Sequence, residues 1–533
     1  MKSSALARLP FLHGVPQATI AAVNRVLRPL SVTAGTVLFR TGDEGDACYL
    51  VETGALRVST TLDGDVLATL GPGSFVGELA ILLGEPRSAT VTAVTDAELL
   101  VLTRADLDTL MSEHPSIGVA LSRELGRRIV HANRRLTGEV GARRSVIWPA
   151  ERVVDVAGGI LSYNRRVAVA ALRGAALGRT PARAIRVRPP LFGANDSRFD
   201  AVLLAAGEAP SPAALSAIAD AEHVLAFGEA PPWLRAAAPP GRYVRLSDND
   251  MGVRRAVRWA TGRAVGLALS SGGSKTVAHL GVIRVLREIG VEIDAVAGTS
   301  GGAFGAVAVA FEHEDAYGLQ FVEALRRATH WSRLDFNFPP RSGLFKGNRL
   351  HRLFDKWGDN ASLEDAALPV WLVATDVANG NQVVLHEGPV GEALRSSMSI
   401  PGAMNPSRYD SRLLIDGAVV NPLPVDVLRD AGVGLVIASN VAGQATEIAV
   451  GAKLPSLLQI IGRMLNAMER QVINTQLPLA DVVIRPRLKA SGSFDFSNIE
   501  AMIAAGDVAA RERVDDIKNL LAAASGHAVG ASQ

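Results

Sequence analysis

A single cysteine, Cys48, stands among 533 residues. No disulfide framework can form within the chain, which fits a reducing compartment. Long apolar runs are missing as well. No stretch of about 18 uninterrupted apolar residues occurs, which argues against a spanning helix. The N-terminal MKSSALARLPFLHG has Arg8 and Pro10 inside its short apolar stretch and makes a poor signal peptide. Charge of one sign is also lacking: 55 basic against 53 acidic residues leave a net charge of +2 and no global basic field. Neither a helix-turn-helix nor a basic recognition segment follows residue 137, so no nucleic-acid partner is expected. These absences point to a soluble, cytoplasmic protein that meets a membrane, if at all, peripherally.

What is present is globular in composition, with 48% hydrophobic and 20% charged residues. A chain of this length divides into several domains, because single cores stop growing near ~250–300 residues. Residues 31–103 alternate short apolar and polar runs (TVLF, CYLVETG, ALRVSTT, AELLVLT) between regularly spaced glycines, the pattern of a small β jelly-roll barrel. Residues 115–137 have helical periodicity. Residues 141–262, rich in Ala, Arg and Pro, read as an α/β connector around the apolar runs AVLLAAG and HVLAFG. From Ala264 strands alternate with helices, the signature of a mostly parallel sheet flanked by helices. The expected organisation is 1–140, 141–262 and 263–523, then a frayed tail over 524–533.

Two stretches carry chemistry. In GSFVGELAILLGEPRSATV (Gly73–Val91), Gly77, Glu78, Leu79 and Ala80 begin a short helix whose free amides make an anion site. Arg87 is spaced to add charge-assisted bonds to a phosphate, and Ser88 a hydroxyl. Glu78, a carboxylate at the mouth of an anion site, makes sense as an acceptor for hydroxyls such as those of a ribose. This cassette and the barrel around it resemble the cyclic-nucleotide-binding domain family over about residues 9–137. The resemblance implies that Glu78 binds the ribose 2′-hydroxyl and that Arg87 and Ser88 bind the cyclic phosphate. The amides of Gly77, Leu79 and Ala80 complete the cradle. The base, cyclic AMP or cyclic GMP, is left open.

The second stretch is Gly298-Thr299-Ser300-Gly301-Gly302, after an apolar strand and before a helical run, the context of a nucleophile elbow. The helix behind Ser300 directs positive dipole at it. Among histidines after Ser300, only His527 follows Asp416, and it lies in the tail, so a Ser–Asp–His order is disfavoured. A carboxylate held against the hydroxyl can act directly. Asp416 ends the apolar run RLLIDG, and open α/β sheets place ligands at the carboxyl ends of parallel strands. Asp376, ending VWLVATD, is a rival on the same grounds. Glycines in Ser271–Lys275 let the backbone amides of Gly272, Gly273 and Ser274 converge as an oxyanion hole.

The glycine-rich loop with its Ala278–Val282 continuation, the elbow GTSGG and the block DGAVVNPLPVDV (Asp416–Val427) together resemble the patatin-like phospholipase family. They are closest to its bacterial branch related to neuropathy target esterase, and the resemblance covers about residues 264–520. It implies a Ser–Asp dyad, Ser300 and Asp416, acting on phospholipid or lysophospholipid esters without a catalytic cofactor or metal. In that family the loop usually reads G-G-G-x-R-G. Here Lys275 stands for the arginine and Thr276 for the last glycine, which keeps a second reading open: a catalytically inactive, nucleotide-sensing adaptor.

Residues 454–473 (LPSLLQIIGRMLNAMERQVI) could present Leu457, Leu458, Ile461, Met464, Leu465 and Met468 to lipid, or pack on the core. Arginines 123, 127, 128, 134, 135, 143 and 144 could meet anionic headgroups or form a solvated face. The expected partners are a lipid substrate at a membrane surface and a cyclic nucleotide; a homo-oligomer is allowed.

Overall fold

The computed structural model describes residues 17–54, 56–59, 66–70, 75–77, 80–81, 86–114, 117, 143–172, 175–186, 199–211, 214–215, 217–218, 221–238, 241–312, 322–323, 326–327, 335–338, 342–410, 412–442, 457–488 and 495–525. Apart from Ile117, the expected helix over 115–137 with its arginines lies outside them, as does the tail beyond Ser525. The chain divides into two compact units, Met1–Val140 and Gly141–Gln533.

The first unit is a jelly roll of two antiparallel sheets. One joins β1 (Arg28–Val32), β8 (Ala97–Thr103), β3 (Ala47–Thr53) and β6 (Phe75–Val76) in that order. The other joins β2 (Val37–Phe39), β7 (Thr90–Ala93), β4 (Leu56–Ser59) and β5 (Val66–Leu70). Alternation along the strands sends Val51, Leu56, Val91 and Leu99 inward to full burial. The helix Arg104–Glu113 follows β8, capped by Thr103, whose hydroxyl accepts from the Asp106 amide.

Among its described residues the second unit holds two large sheets and a two-stranded parallel pair, Gly343–Phe345 with Gly402–Met404. The connector forms a six-stranded parallel sheet in the order β11 (Ile185–Arg186), β10 (Val167–Ala171), β12 (Ala201–Ala205), β9 (Arg143–Trp148), β13 (His223–Phe227), β14 (Tyr243–Leu246). In the larger sheet β18 (Val370–Asp376), β16 (Ala295–Thr299), β15 (Val265–Leu269), β23 (Leu435–Ser439) and β24 (Val482–Ile484) run parallel. On the β18 side, β22 (Arg412–Asp416) and β19 (Gln382–Leu385) both pair with it antiparallel, and β21 (Ser407–Tyr409) pairs antiparallel with β22.

One hydrophobic core runs between the two sheets. Val153, Val156 and Ile160 of helix Arg152–Ser162 and Trp259 of helix Asp250–Ala260 share it with Ala297, Val373, Leu428 and Val436. Polar ties reinforce it. Arg258 donates from Nε and Nη2 to the fully buried Asp294 at 2.8 and 2.7 Å, and Asp294 also accepts from the Val265 amide. His223 Nε2 donates to the Ala431 carbonyl. Burial and the Arg143 charge push its pKa down to about 3, so it is a neutral packing group. Among the described residues no helix is long and apolar enough to cross a membrane.

Candidate active site

Strand β16 ends at Thr299 and the helix Gly301–Ala310 begins at once. Ser300, between them, has φ 55° and ψ −126°, a strained region for a non-glycine residue. The flanking glycines permit the turn. A Cβ at Gly301 would come within 2.4 Å of Thr276 Oγ1, and one at Gly302 within 2.4 Å of the Leu269 carbonyl oxygen. The elbow is therefore wedged against the loop after β15, and only hydrogen fits at those positions.

Register brings the carboxylate. Thr299 pairs with Val373 across β16 and β18, and Ala374 pairs with Asp416 across β18 and β22. Ser300 and Asp416 thus stand at one level on either side of β18. Ser300 Oγ donates to Asp416 Oδ2 at 2.6 Å, while Asp416 Oδ1 accepts from the Ala418 amide at 2.9 Å. The expectation of a parallel strand for RLLIDG is corrected, because β22 runs antiparallel. Asp416 reaches the serine through pairing register, not through a parallel-strand carboxyl end. Asp376 lies two residues further along β18, and its Oδ1 caps a turn by accepting from the Ala378 amide.

The pair is dry: Ser300 is 6% and Asp416 3% exposed. Burial pushes the Asp416 carboxyl up to about 6, against the hydrogen bonds from Ser300 and the Ala418 amide, which favour the carboxylate. Ser397 steadies the elbow. Its Oγ accepts from the Ser300 amide at 3.0 Å and donates to the Val373 carbonyl at 2.6 Å. Thr299 Oγ1 donates to the Asn421 carbonyl, tying the elbow to the block after Asp416.

Ser300 opens into a mainly apolar cleft walled by Leu280, Phe304, Met398, Ile400, Met404 and Phe496. Gly273 and Thr276 line the same cleft; Gly272 and Ser274 do not. Gly272 and Gly273 have φ 155° and 59° and lead into a 3-10 turn over Gly273–Val277. Thr276 sits inside that turn without positive φ, its Oγ1 donating to the Gly273 carbonyl at 2.7 Å. Threonine is therefore unstrained at this position. His279 also lines the cleft, but its Nδ1 accepts from Ser439 Oγ and its Nε2 donates to the Ser270 carbonyl. Burial lowers its pKa to about 4, and its bonds point away from Ser300.

The sequence reading overlooked Glu469, on the helix Leu457–Gln476. Burial and the Asp416 charge push its carboxyl up to about 7, while the nearby Ser271 hydroxyl and the charges of Lys275 and Arg470 act the other way. Only the fold of this helix over the turn after Asp416 brings the two carboxyls together. Of the proposed lipid-facing side chains, Met468 is 49% exposed; the side chains of Leu457, Leu458, Ile461, Met464 and Leu465 lie outside the described residues. Arg143 is not at a free surface, since it pairs with Glu222 and donates to the Gly432 carbonyl.

In the jelly roll, Gly77 and Arg87 come together. Arg87 is 3% exposed, its Nη1 donates to the Gly77 carbonyl at 3.0 Å, and its guanidinium lies 4.2 Å over the Phe39 ring. Asp46 approaches Nη2 at 3.5 Å. Ala80 is buried and its carbonyl accepts from Arg104, while Ser88 is exposed. Glu78 and Leu79 lie outside the described residues. No cluster of three or more His, Cys, Asp or Glu side chains suited to a metal ion occurs among the described residues.

Comparison with known proteins follows the same division. Residues 267–429 match the patatin-like phospholipase family and residues 29–114 the cyclic nucleotide-binding domain. An uncharacterized NTE family protein of Mycobacterium tuberculosis is 26% identical, with 95% of each chain covered. Patatin-like phospholipase domain-containing protein 6 of Pongo abelii and lysophospholipase nte1 of Neosartorya fischeri are each 25% identical over 78% and 79% of this chain. The chain spans 38% and 36% of those longer proteins. The chain thus carries a patatin-like phospholipase domain preceded by a cyclic nucleotide-binding domain, its homologues are NTE family proteins, and it is an enzyme of the phospholipase and esterase class.

Proposed function

We propose that this enzyme hydrolyses acyl esters of phospholipids or lysophospholipids through a Ser300–Asp416 dyad. The observation that carries the reading is the 2.6 Å bond from Ser300 Oγ to a buried carboxylate at a strained elbow beside an apolar cleft. Asp416 takes the hydroxyl proton as Ser300 Oγ attacks the ester carbon. The C–O bond to the glycerol then breaks, and Asp416 returns the proton to the departing oxygen. Water, deprotonated by the same carboxylate, releases the fatty acid from the acyl-serine. A carboxyl near 6 is a stronger base than an ordinary aspartate and is still largely ionised at neutral pH.

The amides at the start of the 3-10 turn, Gly273 foremost with Gly272 and Ser274 beside it, are assigned to the oxyanion, aided by the N-terminus of the helix behind Ser300. The acyl chain occupies the apolar cleft at a membrane surface. Cyclic AMP or cyclic GMP binds the jelly roll through Gly77, Glu78, Leu79, Ala80, Arg87 and Ser88 and regulates hydrolysis, which requires different affinities for two states. The inactive-adaptor reading then rests on Lys275 alone, because Thr276 is accommodated without strain. The test is release of fatty acid from lysophosphatidylcholine by the full chain, with and without each nucleotide, against Ser300→Ala. Hydrolysis surviving in that variant overturns the dyad; a rate and membrane association unmoved by saturating nucleotide overturn the regulation.

A further inference from the structure

A second cavity, of about 490 Å³, adjoins segment 395–408 and is basic and polar where the Ser300 cleft is apolar. Lys346, Arg395 and Arg408 line it against one carboxylate, Glu392. The two cavities share a wall. Leu350 and Met404 face the Ser300 cleft, and their chain neighbours His351 and Asn405 face the basic one.

Arg395 is the unusual member. It is 5% exposed, yet its guanidinium meets neutral acceptors: Ser399 Oγ, the Lys346 carbonyl at 2.9 Å and the Asn405 carbonyl at 2.8 Å. Asp335 is the carboxylate whose field reaches it. Both Asp335 oxygens are engaged elsewhere, accepting from the amides of Gly347, Asn348 and Arg349 at the start of helix Asn348–Trp357. A cation withdrawn from water is normally matched by an anion. Here the chain positions the cation on a cavity wall and, among the described residues, supplies no anion in contact, while Lys346 and Arg408 add exposed charge at the rim.

The cavity is coupled to the serine site through one short segment. Arg395 donates to Ser399 Oγ, the Ser399 carbonyl accepts from the Asp416 amide at 2.9 Å, and Ser397 Oγ accepts from the Ser300 amide. An ester held at Ser300 with its acyl chain in the apolar cleft leaves its glycerol to turn across the shared wall.

We propose that the basic cavity is a binding site for a phosphate group, of the kind a glycerophospholipid carries one glycerol length from its acyl ester. A planar guanidinium and a flexible ammonium converging from different elements suit the several oxygens of a phosphate. Assignment to the lipid's own phosphate rests on the Ser300 reading; phosphate binding itself does not.

The experiment uses the full chain with Lys346→Gln and Arg408→Gln, both at exposed positions, and Arg395→Lys as a conservative change inside. One arm compares kcat/KM for lysophosphatidylcholine with kcat/KM for a monoacylglycerol of the same acyl chain. The expected result is a fall of at least about 10-fold in that ratio for the double variant, the effect of losing charge-assisted hydrogen bonds to the phosphate from two side chains. The other arm needs no turnover: glycerophosphocholine and inorganic phosphate are titrated by calorimetry into Ser300→Ala protein with and without the same changes. A lowered ratio identifies the lipid headgroup; an unmoved ratio with phosphate binding abolished in the variants identifies free phosphate. A ratio within twofold together with no variant-sensitive binding of either probe overturns the proposal. Hydrolysis surviving in Ser300→Ala removes only the dyad, and the titrations still decide the cavity.

Discussion

The Ser300 site and the Arg87 site solve opposite problems with similar parts. Each sets a functional side chain beside glycine backbone in a buried position. At the first, the reactive group already meets its partner: Ser300 Oγ is bonded to Asp416 and the elbow is strained. At the second, the charged group is bonded to its own chain, with the Gly77 carbonyl at the edge of the Arg87 guanidinium and Phe39 across one face. A group that must act on every encounter benefits from being prearranged, since reorganisation then adds nothing to the barrier. A group that must report a ligand benefits from having something to give up. The strain and the buried carboxylate cost stability in the folded enzyme, whereas on the proposed reading the self-bonded arginine costs affinity for nucleotide.

The contrast is abolished most severely at the dyad. Ser300→Ala and Asp416→Asn are each expected to lower kcat/KM on a lysophospholipid by about 10³-fold or more, and the double change by little beyond either single one, because groups acting as a unit are non-additive. Assay of fatty acid release checks this. Retention of a tenth of the activity in Asp416→Asn would return Asp376 to candidacy and bring in Glu469.

A next effect concerns the cost of prearrangement. The Asp416 carboxyl rises from 3.8 to about 6 on folding, so the folded state holds its proton more tightly than the unfolded one. Its contribution to stability is complete below the unfolded value and is lost as pH rises through the folded one, by roughly 3 kcal/mol for a two-unit shift. Asp416→Asn should therefore melt higher than the parent at pH 7 and no higher at pH 4, in calorimetric scans of the full chain. The acid limb of kcat/KM should fall near pH 6. Glu469→Gln should leave that limb in place, because Glu469, near 7, is still protonated while Asp416 ionises.

A smaller effect is expected in the jelly roll. Arg87→Gln removes charge-assisted bonds to a cyclic phosphate worth about 1.5–3 kcal/mol, a loss of roughly 10- to 150-fold in nucleotide affinity. Titration with a fluorescent cyclic nucleotide reads this directly. An unchanged affinity would mean that the Gly77 bond is permanent and Arg87 only a packing group.

How much of this was legible in the sequence differs between the sites for a physical reason. The elbow at Gly298–Gly302 is local: strand, turn and helix follow each other within a few residues, and the glycines mark where side chains cannot fit; the cassette at Gly77–Ser88 is likewise one short stretch of sequence. The choice between Asp416 and Asp376 was not local. Both end apolar strands, and only the register of β22 on β18 puts one at the level of Ser300. The same holds for Glu469, Ser397 and Arg395, whose roles depend on elements packed from elsewhere in the chain. The connector's six strands were only partly visible, because two of them are AVLLA and HVLAF runs while Ile185–Arg186 is a two-residue strand without any apolar pattern.

The smallest predicted effect tests the loop that departs from the family pattern. Thr276 replaces a glycine, and its hydroxyl bonds the Gly273 carbonyl while its side chain bears on the position where Gly301 lacks one. If the threonine fills a place the loop already has, Thr276→Gly removes one neutral hydrogen bond, worth about 1 kcal/mol, and loosens the amides assigned to the oxyanion. The expected change is a fall of up to about 5-fold in kcat, with KM nearly constant, because a loosened oxyanion donor acts on the transition state more than on the bound ester. A large gain in rate would mean instead that the threonine holds the loop away from its working geometry. The prearrangement seen at Ser300 would then be incomplete on the oxyanion side, and the contrast with Arg87 would shrink to a difference of degree.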